Sequence, residues 1–483
     1  MKLIDYQSIK SIQSLRSKIS LTGDQIKDEV NRKVSILYSL GIRKNDKVMI
    51  CHGGEPSFFT DLFAVWEIGC CAVCINPKTT LNEIQNIYQF IKPKVLLIDD
   101  SSTFKELPYN CQDLADDYNV NLKDLTETGH NNMDDDALIL FTSGTTGIPK
   151  GVVHTFNTIS NRLKLNLSVM PSNEIINTLC LLPMHFGHGL IGNCLTPLAS
   201  GSNLFLLNNM DLREASSLGD IINDNKVSFF SSVPSLWKLI LRLAKSPNLG
   251  TLKRIHVGSA PLSANLWKEI IAWSGVNNVV NMYGITETAN WIAGASADEY
   301  KIADGLVGKM WGGEAYIQDD NGNISTKGHG SILIKTPSLM NRYYNLPEIT
   351  SETIKDGFYD TGDIGSINDD KAIMITGRKK FEINRAGIKI NPEDIDLLLE
   401  GHSNIEESCA FAVPDEIYGE VVGVAVKLKS DIEISELKQW CSERILADKI
   451  PSKWYIVPEI LKNDRGKVDR IKVSQMLMDN KND

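Results

Sequence analysis

The sequence has neither a long apolar run nor an extended cluster of basic residues. No uncharged stretch in its 483 residues is long enough to cross a bilayer, and the first residues lack an apolar core of signal-peptide length. The formal net charge is -10, and the longest basic run consists of Arg378, Lys379 and Lys380. Because a chain with this charge repels polyanions, we expect no nucleic-acid partner and no membrane span. Together these absences predict a cytoplasmic protein.

The nine cysteines provide neither an even disulfide framework nor a complete zinc site. They are scattered from Cys51 to Cys441, and an odd number is more typical of a reducing compartment than of a set of disulfides. Cys71 and Cys74 form a C-x-x-C pattern inside an apolar run, but no second cysteine or histidine pair lies nearby in the sequence to complete a metal site. We interpret the pair as part of a buried strand.

Short apolar runs alternate with helix-like or loop segments up to residue 257. A capping box at Thr22 and Gln25 begins an amphipathic helix whose apolar face continues to Leu40. Because near-continuous apolar strands that alternate with helices form sheets covered on both faces, the pattern predicts a mainly parallel α/β domain. The apolar runs are residues 48–50, 72–75, 95–98, 138–141, 204–207, 227–230 and 254–257.

The pattern of apolar and turn-forming residues changes twice after residue 257. From Gly305 onward, turn-rich segments predict antiparallel β-structure, including a hairpin turn at residues 320–323. After Gly377 the remaining residues indicate a small α/β unit with a strand at 421–426 and a helix at 434–445. We therefore predict a larger domain of residues 1–377 and a smaller one of residues 378–483.

The stretch FTSGTTGIPKG, residues 141–151, directly follows one of the apolar runs. Its glycines let the backbone approach an anion closely, its hydroxyl groups add hydrogen-bond donors, and Lys150 adds a positive charge. The pattern is not a Walker loop, because the spacing from Gly144 to the lysine differs from G-x-x-x-x-G-K-[ST]. We interpret the stretch as a phosphate-binding loop; a polar surface loop is the alternative.

Further motifs follow in the order of one enzyme family. They are NMYGITET at residues 281–288, FYDTGDIG at 358–365, GRKKFEINRAGIKINPEDID at 377–396 and NDRGKVDR at 463–470. With the loop at 141–151, they resemble the adenylate-forming superfamily of AMP-forming acyl-CoA synthetases, stand-alone adenylation domains and firefly-type luciferases, along nearly the whole chain. The resemblance implies an α/β fold: a large domain of two doubly covered, mainly parallel sheets and a distorted β-barrel, followed by a small mobile α+β domain.

The resemblance also implies a reaction in two steps. A carboxylic acid is joined to the α-phosphate of ATP with release of pyrophosphate, and a thiol then displaces AMP. Lys467 would stabilise the charge of the first transition state, Thr286 would contact the α-phosphate, and Glu287 would bind Mg²⁺. The residues expected around the departing pyrophosphate are Thr142, Ser143, Gly144, Thr145, Thr146, Gly147 and Lys150.

The family pattern further assigns a nucleotide pocket and a hinge. Asp363 would accept hydrogen bonds from the ribose hydroxyl groups with help from Arg378, and Lys380 falls at the hinge on which the small domain swings. A turn-capping role for Asp363 and a solvated surface role for Lys380 are the structural alternatives. The residues expected around the adenine and the adjoining strand are Gly258, Ser259, Ala260, Asn281, Tyr283 and Gly284.

The chain departs from the family pattern at a few positions. Asn384, followed by Arg385, stands where many relatives have a second lysine; this weakens a luciferase-like interpretation and is compatible with thioester formation. Ser331 and Arg342 also replace the residues that the family usually has beside two β-strands.

The segment MHFGHG at residues 184–189 bears on the nature of the acid. Amino-acid-activating relatives usually carry an aspartate here that pairs with the substrate's ammonium, and this segment has no carboxylate. Since an unpaired buried ammonium is costly, we expect an acid without an α-amino group. The spacing of His185 and His188 also suits a metal, but no third ligand is evident, and an aromatic gate is favoured. The expected pocket walls are His185, Phe186, His188, Val257, Met282 and Trp291, with a core role for Trp291 as the alternative.

These inferences predict an AMP-forming acid–thiol ligase, most simply an acyl-CoA synthetase that uses ATP, Mg²⁺ and coenzyme A. One alternative is an acyl-AMP ligase that loads the phosphopantetheine arm of a carrier protein, which carries the same thiol. Another is a nucleotide-binding homologue that has lost catalysis, but the residues expected to act on the nucleotide are present: Thr286, Glu287, Asp363, Arg378 and Lys467.

Overall fold

The computed structural model describes residues 3–99, 102, 104, 109–114, 132–142, 150–208, 210–385, 388–415, 417–463 and 466–479. Within these residues the chain forms two large sheets, a smaller third sheet, and helices that cover them. The described helices are α1 Gly23–Ser39, α2 Pro56–Ile68, α3 Leu81–Ile91, α4 Phe156–Leu167, α5 Thr196–Ala199, α6 Leu212–Ser216, α7 Leu218–Asp224, α8 Pro234–Leu243, α9 Ala264–Ser274, α10 Pro347–Thr353, α11 Pro392–Glu400, α12 Ile434–Ser442 and α13 Arg470–Asp479. Short 3-10 helices span Tyr6–Ser8, Thr286–Thr288, Lys379–Phe381 and Ala447–Lys449, and a π-helix spans His188–Leu195. None of the described helices is both long and apolar enough to span a bilayer.

The first large sheet is mainly parallel. In spatial order its described strands are β19 (Arg342–Tyr343), β8 (Lys150–Thr155), β7 (Asp136–Thr142), β4 (Cys71–Cys74), β3 (Lys47–Ile50), β5 (Val95–Leu97) and β6 (Cys111–Gln112). The strands from β7 to β6 run parallel, and β8 and β19 are antiparallel additions. All of β4 is buried, including Cys71 and Cys74, because helices cover both faces of this sheet.

The second large sheet changes character along its width. Its described strands, in spatial order, are β17 (Ile324–Ser325), β16 (Glu314–Gln318), β18 (Gly328–Lys335), β21 (Phe358–Ile367), β22 (Ile373–Arg378), β15 (Leu306–Met310), β14 (Trp291–Ser296), β13 (Val279–Gly284), β12 (Arg254–Gly258), β11 (Phe229–Ser232), β9 (Asn177–Cys180), β10 (Asn203–Leu206), β1 (Ser11–Ser14) and β2 (Ser20–Thr22), with β20 (Ile354–Lys355) beside β21. Neighbours are parallel from β13 to β1 and antiparallel from β13 to β17.

The antiparallel part is the region where the resemblance implied a distorted barrel. Its described strands extend the larger sheet and do not close into a ring. The predicted hairpin turn at 320–323 lies between β16 and β17.

The third sheet belongs to the C-terminal part of the chain. Its described strands are β24 (Ile388–Ile390), β23 (Ile383–Arg385), β26 (Gly419–Leu428) and β25 (Ile405–Asp415), with β27 (Lys453–Ile456) parallel to β26. Helices α11 and α12 pack on one face of this sheet and α13 packs on the other. The second sheet ends at Arg378 and the third begins at Ile383; the division at residue 377 remains a prediction.

Local hydrogen bonds help to decide where individual helices and strands begin. Thr22 and Gln25 form the expected capping box of α1. By contrast, β11 begins two residues later than the apolar run, because the N–H of Val227 still bonds to the carbonyl of Ile222 at the end of α7. The helix predicted at 434–445 ends at Ser442.

Candidate active site

The glycine-rich stretch bridges two paired strand ends. Thr142 at the end of β7 is the ladder partner of Lys150 at the start of β8. Lys150 Nζ lies 5.2 Å from the ring centroid of Tyr343. The hairpin therefore fixes both ends of the stretch beside Tyr343. The remaining predicted loop residues lie outside the described residues: Ser143, Gly144, Thr145, Thr146 and Gly147.

A buried ion pair on adjacent strands marks the predicted ribose site. Asp363 on β21 is 2% exposed, and its Oδ1 lies 2.6 Å from Nε of Arg378, its ladder partner on β22. Tyr283 on β13 donates its hydroxyl to Asp363 Oδ2 at 2.5 Å. Burial, and then the Asp363 charge, raise the pKa of Tyr283 well above its ordinary value, so the phenol remains a donor. Asp363 is thus held in a fixed orientation, and each of its oxygens keeps a lone pair that a ribose hydroxyl group can use.

Glu287 lies in the 3-10 helix that follows β13. Tyr343 donates its hydroxyl to Glu287 Oε1 at 2.8 Å, and the hydroxyl of Tyr359 lies 3.4 Å from that of Tyr343. Burial, and then the Glu287 charge, raise the pKa of Tyr343, which stays a donor. A half-buried carboxylate fixed through one oxygen fits Mg²⁺, which commonly takes one or two carboxylates and fills its shell with phosphate oxygens and water. Within the described residues, no three side chains of the His, Cys, Asp or Glu types form a cluster that could hold a metal by themselves.

Thr286 is positioned by a buried histidine of the other large sheet. His154 on β8 lies with its Nε2 2.8 Å from the carbonyl oxygen of Thr286, to which it donates. The side chain of His154 is fully buried, and burial lowers its pKa to about 4. A neutral imidazole therefore connects the two large sheets at the helix that carries Thr286 and Glu287.

We expect stability to fall on acidification because His154 must remain neutral in the folded protein. Its pKa is depressed from 6.5 to about 4, so the unfolded chain takes up the proton first as the pH falls. This contribution to stability is complete above roughly pH 6.5 and is lost as the pH falls towards 4; about 2 kcal/mol is lost between pH 7 and 5. Urea unfolding at several pH values should show a flatter profile for His154→Gln. The exposed-site control His329→Gln should keep the original slope, and an unchanged slope in His154→Gln would contradict the prediction.

The residues expected beside the adenine lie where β12 ends. Gly258 is the last residue of this strand, and a Cβ placed there would lie 3.0 Å from Met282. Ser259 has a left-handed backbone with φ 68° and turns its hydroxyl to within 2.7 Å of His188 Nδ1. Ala260 follows in the half-exposed turn. The turn therefore lies next to β13, where the adenine is predicted to bind.

Asn281 and Gly284 of β13 lie in different environments. Asn281 is buried, and its side-chain amide donates to the carbonyl of Leu306 on β15 at 2.7 Å. Its side chain therefore supports the sheet. Gly284 ends β13 at an exposed position.

His188 is the first residue of the π-helix, a rare element that is common at functional sites. Its Nδ1 lies 2.7 Å from Ser259 Oγ and its Nε2 lies 2.6 Å from Ser231 Oγ. Burial, and then the charge of Lys467, lower its pKa to about 3. Because serine hydroxyls occupy both ring nitrogens, the geometry favours a gate over a metal ligand. The other two members of the segment, His185 and Phe186, are half-buried with ring centroids 3.9 Å apart.

Two of the expected wall residues share a buried cluster. Met282 and Trp291 pack together with Phe229 and Trp311, and the ring centroid of Trp291 lies 5.5 Å from that of His188. This contact makes Trp291 part of the surroundings of His188 as well as part of a core.

Val257 faces away from this cluster. It packs on the opposite face of β12, in the core that includes Trp267 of α9. Side chains alternate along a strand, so its neighbour His256 points towards the cluster, with its ring centroid 4.5 Å from that of Trp291. No motif in the sequence marks His256. It is found by counting alternate positions back from Gly258 along β12, because these two residues lie on the same face.

The C-terminal segment brings Lys467 to the larger part of the protein. A tight turn holds it: the N–H of Asn463 donates to the carbonyl of Lys467 at 2.8 Å, and the N–H of Lys467 donates to Asn463 Oδ1 at 3.2 Å. Gly466 packs so closely on α8 that a Cβ there would lie 2.8 Å from Ser235 Oγ. The predicted catalytic ammonium thus belongs to a segment that packs against α8, and its charge contributes to the lowered pKa of His188.

Lys380 lies in the 3-10 helix between the second and third sheets. Its Nζ is 4.6 Å from the ring centroid of Phe381. Partial burial, and then the charge of Arg378, lower the pKa of Lys380. A short segment between two sheets is a position where backbone rotation can be absorbed, and the hinge role remains a proposal.

Ion pairs connect the C-terminal part to α8; we call the group of Lys238, Arg242, Glu400, Glu406 and Glu407 the interdomain ion cluster. Lys238 Nζ lies 3.5 Å from Glu407 Oε1 and 3.6 Å from Glu400 Oε2. Arg242 lies 3.5 Å from Glu406 Oε1. Burial alone would raise the pKa of Glu407. A hydrogen bond from Lys462 and the charge of Lys238 lower the pKa overall. The cluster therefore stabilises the arrangement that places Lys467 near His188.

Reversing the charge at Lys238 is expected to weaken this arrangement. Lys238→Glu should slow adenylate formation about fivefold, because it replaces an attraction by a repulsion in a half-exposed cluster. Thioester formation from a supplied acyl-adenylate should change less. The ratio of the two rates is the measurement, Lys245→Glu just beyond α8 is the control, and a ratio equal to that of the control would contradict the prediction.

Comparison with known proteins gives matches over nearly the whole chain. Residues 7–344 match the AMP-binding enzyme family, and residues 394–467 match the AMP-binding enzyme C-terminal domain. The chain is 28% identical over 496 residues to an oxalate–CoA ligase of Arabidopsis thaliana, with 96% of this chain and 95% of that protein covered. It is 28% identical over 464 residues to a 2-succinylbenzoate–CoA ligase of Bacillus licheniformis, with 94% of each covered. The crystal structure of ATP-bound MatB from Rhodopseudomonas palustris has the same fold, with a TM-score of 0.88 and 22% identity over 99% of both chains.

Proposed function

The chain belongs to the AMP-binding enzyme family, and we propose that this AMP-forming acid–thiol ligase activates a small carboxylic acid without an α-amino group. Its co-substrates are ATP and coenzyme A, with Mg²⁺ as the metal ion. The two curated relatives described above are named for the activation of oxalate and 2-succinylbenzoate. Both names describe small acids that lack an amino group, which supports the same class for this chain.

One observation carries the assignment of the reacting centre. Lys467 of the C-terminal part acts electrostatically on His188, while Asp363, Arg378 and Tyr283 form one hydrogen-bonded group on the second sheet. A ribose anchor on one side and a cation on the other define where a nucleotide and a carboxylate meet.

In the first half-reaction these groups have separate tasks. Asp363 holds the ribose hydroxyls, and Thr142 and Lys150 hold the ends of the loop that contacts the phosphates. Lys467 neutralises the negative charge that grows on the α-phosphate and the incoming carboxylate oxygen, which is the largest contribution expected from a single group. Glu287 would hold Mg²⁺, and the ion would supply further charge neutralisation on the phosphate oxygens.

The second half-reaction requires another arrangement of the C-terminal part. Rotation about Lys380 removes Lys467 and opens the acyl carbonyl to a thiol. The thiol sulfur bonds to the carbonyl carbon, the carbonyl–oxygen bond to AMP breaks, and the thiol proton is lost to solvent or phosphate. Asn384 replaces the second lysine of many relatives in this part of the chain, so that lysine does not take part here.

The absence of a carboxylate in the segment 184–189 supports the class of acid. An α-ammonium group at this point would lie beside the imidazole of His188, which is hydrogen-bonded to two serines and stays neutral. The ammonium group would therefore have no negative charge to pair with in this segment. We also place the reaction in the cytoplasm, because the nine cysteines are all unpaired.

Exchange of labelled pyrophosphate into ATP, measured with a panel of acids, tests the first step. We expect exchange with small acids that lack an amino group and none with amino acids; no exchange with any acid would overturn the proposal. Release of AMP with free coenzyme A, compared with a phosphopantetheine-bearing carrier protein, tests the acceptor. Faster turnover with the carrier protein would replace coenzyme A in the proposal.

A further inference from the structure

Two nitrogen atoms behind His188 are buried without a hydrogen-bond partner among the described residues. They are Nδ1 of His256 on β12 and Nε1 of Trp291 on β14. His256 is fully buried and Trp291 is 2% exposed. Their ring centroids lie 4.5 Å apart in an edge-to-face arrangement. The two unpartnered atoms therefore belong to one pair of touching rings.

The hydrogen bond on the other nitrogen of His256 fixes its tautomer. Arg254 Nε donates to His256 Nε2 at 3.1 Å, and a guanidinium group can only donate. Nε2 is therefore the bare nitrogen, and the proton lies on Nδ1. Burial, and then the charge of Arg254, hold the pKa of His256 well below its ordinary value, so the ring is neutral. Arg254 is itself paired with Glu174 at 3.0 Å.

Both unpartnered atoms are consequently N–H donors. An indole nitrogen always carries its hydrogen, and His256 carries one at Nδ1. A buried donor that has left water without a new acceptor is unfavourable, and buried polar groups are otherwise nearly always bonded. Two such donors, carried by rings whose centroids lie 4.5 Å apart, are candidates for one shared acceptor.

The pair lies beyond the reacting end of the site. The charge of Lys467 acts on His188, and the His188 ring contacts that of Trp291 at 5.5 Å. A Cβ at Gly258 would lie 3.7 Å from His188 Cε1, and His256 is on the same face of β12 as Gly258. His188 thus stands between the turn at Ser259 and the two donors.

Two flexible methionine side chains lie in the cluster around the donors. Met170 and Met282 belong to the same buried cluster as Trp291. Unbranched methionine side chains rearrange more readily than branched or aromatic ones. An acyl chain that displaced them would enter the buried cluster that contains Trp291.

We propose that Trp291 and His256 form a donor pair that binds an acceptor oxygen at the far end of the acyl group, so the preferred substrates are short acids with a distal oxygen. This inference rests on the proposed function, since it concerns the same acyl pocket. The oxygen belongs to a neutral carbonyl or to a second carboxylate, which offer the same acceptor chemistry. Purely alkyl acids of equal length leave the donors unpaired.

Pyrophosphate exchange with acids of matched length tests the proposal. The acids are pentanoate, levulinate and glutarate, with propanoate and malonate as a shorter pair. At least one oxygenated acid should exceed its alkyl counterpart about tenfold in kcat/KM. Levulinate against glutarate distinguishes the neutral oxygen from the charged one. Equal or better exchange with the alkyl acids would overturn the donor pair and leave the proposed function intact, whereas no exchange with any acid overturns both.

The substitution Trp291→Phe removes the N–H and keeps an aromatic ring. It should reduce the ratio of kcat/KM for the oxygenated acid to that for the alkyl acid about fivefold or more, and measurable exchange with either acid shows that the variant is folded. Trp311→Phe is the matched control, because Trp311 packs in the same cluster and its nitrogen is not among the unpartnered atoms. An equal loss for both acids in Trp291→Phe, or the same change of preference in Trp311→Phe, would overturn the proposal.

Discussion

Lys467→Ala is expected to slow adenylate formation about 10²–10³-fold, because it removes a preorganised cation from the place where negative charge develops. The turn at Asn463 and Gly466 should survive, since it depends on backbone hydrogen bonds and not on the lysine side chain. Thioester formation from a chemically supplied acyl-adenylate should stay within about threefold of the unmodified enzyme. Pyrophosphate exchange and single-turnover thioester formation measure the two steps separately.

The control for this experiment is Lys472→Ala. Lys472 lies on α13, and its side chain is 70% exposed. It should leave both rates unchanged. If Lys467→Ala slowed the two half-reactions equally, the cation would not be specific to the first step, and the proposed exchange of arrangements would be wrong.

Glu287→Gln is expected to slow adenylate formation about 100-fold or more and to raise the Mg²⁺ concentration needed for half-maximal rate. The amide keeps an oxygen that can accept from Tyr343, so the fold around the 3-10 helix is preserved. What is lost is the negative charge that a hard cation requires. Titration of the exchange rate with Mg²⁺ at saturating ATP is the measurement.

Tyr343→Phe provides the matched comparison, since it removes the hydrogen bond and keeps the carboxylate. We expect a rate loss below about fivefold and a small change in Mg²⁺ dependence. A Glu287→Gln variant with the Mg²⁺ dependence of the unmodified enzyme would show that another group binds the metal.

Much of the fold follows from pattern alone, and the exceptions have local causes. The buried parallel strands β3, β4 and β5 are continuous apolar runs, so their positions follow directly from sequence. The late start of β11 depends on how the chain leaves α7, which a count of apolar residues does not register. The arrangement of the antiparallel strands beyond Gly305 depends on pairing between segments far apart in the chain, which the pattern within each strand does not specify.

In the candidate site, too, motifs predict some contacts and not others. Asp363, Arg378 and Tyr283 lie in family motifs, and they are in contact in the structure. Val257 and His256 are adjacent in sequence but on opposite faces of β12, and a one-residue difference decides which of them faces Trp291. The hydrogen bond from His154 to Thr286 joins residues far apart in the chain, so no local motif predicts it.

The position of Arg378 has a consequence for the fate of the reactive intermediate. It is paired with Asp363 on the second sheet and precedes the proposed pivot at Lys380 by two residues. The ribose contact proposed for Asp363 and Arg378 therefore precedes the proposed pivot in the chain and can persist while the C-terminal part rotates. An acyl-adenylate, which is a mixed anhydride, would then stay bound between the two steps. We expect little of it to be lost to solvent and hydrolysed in each catalytic cycle.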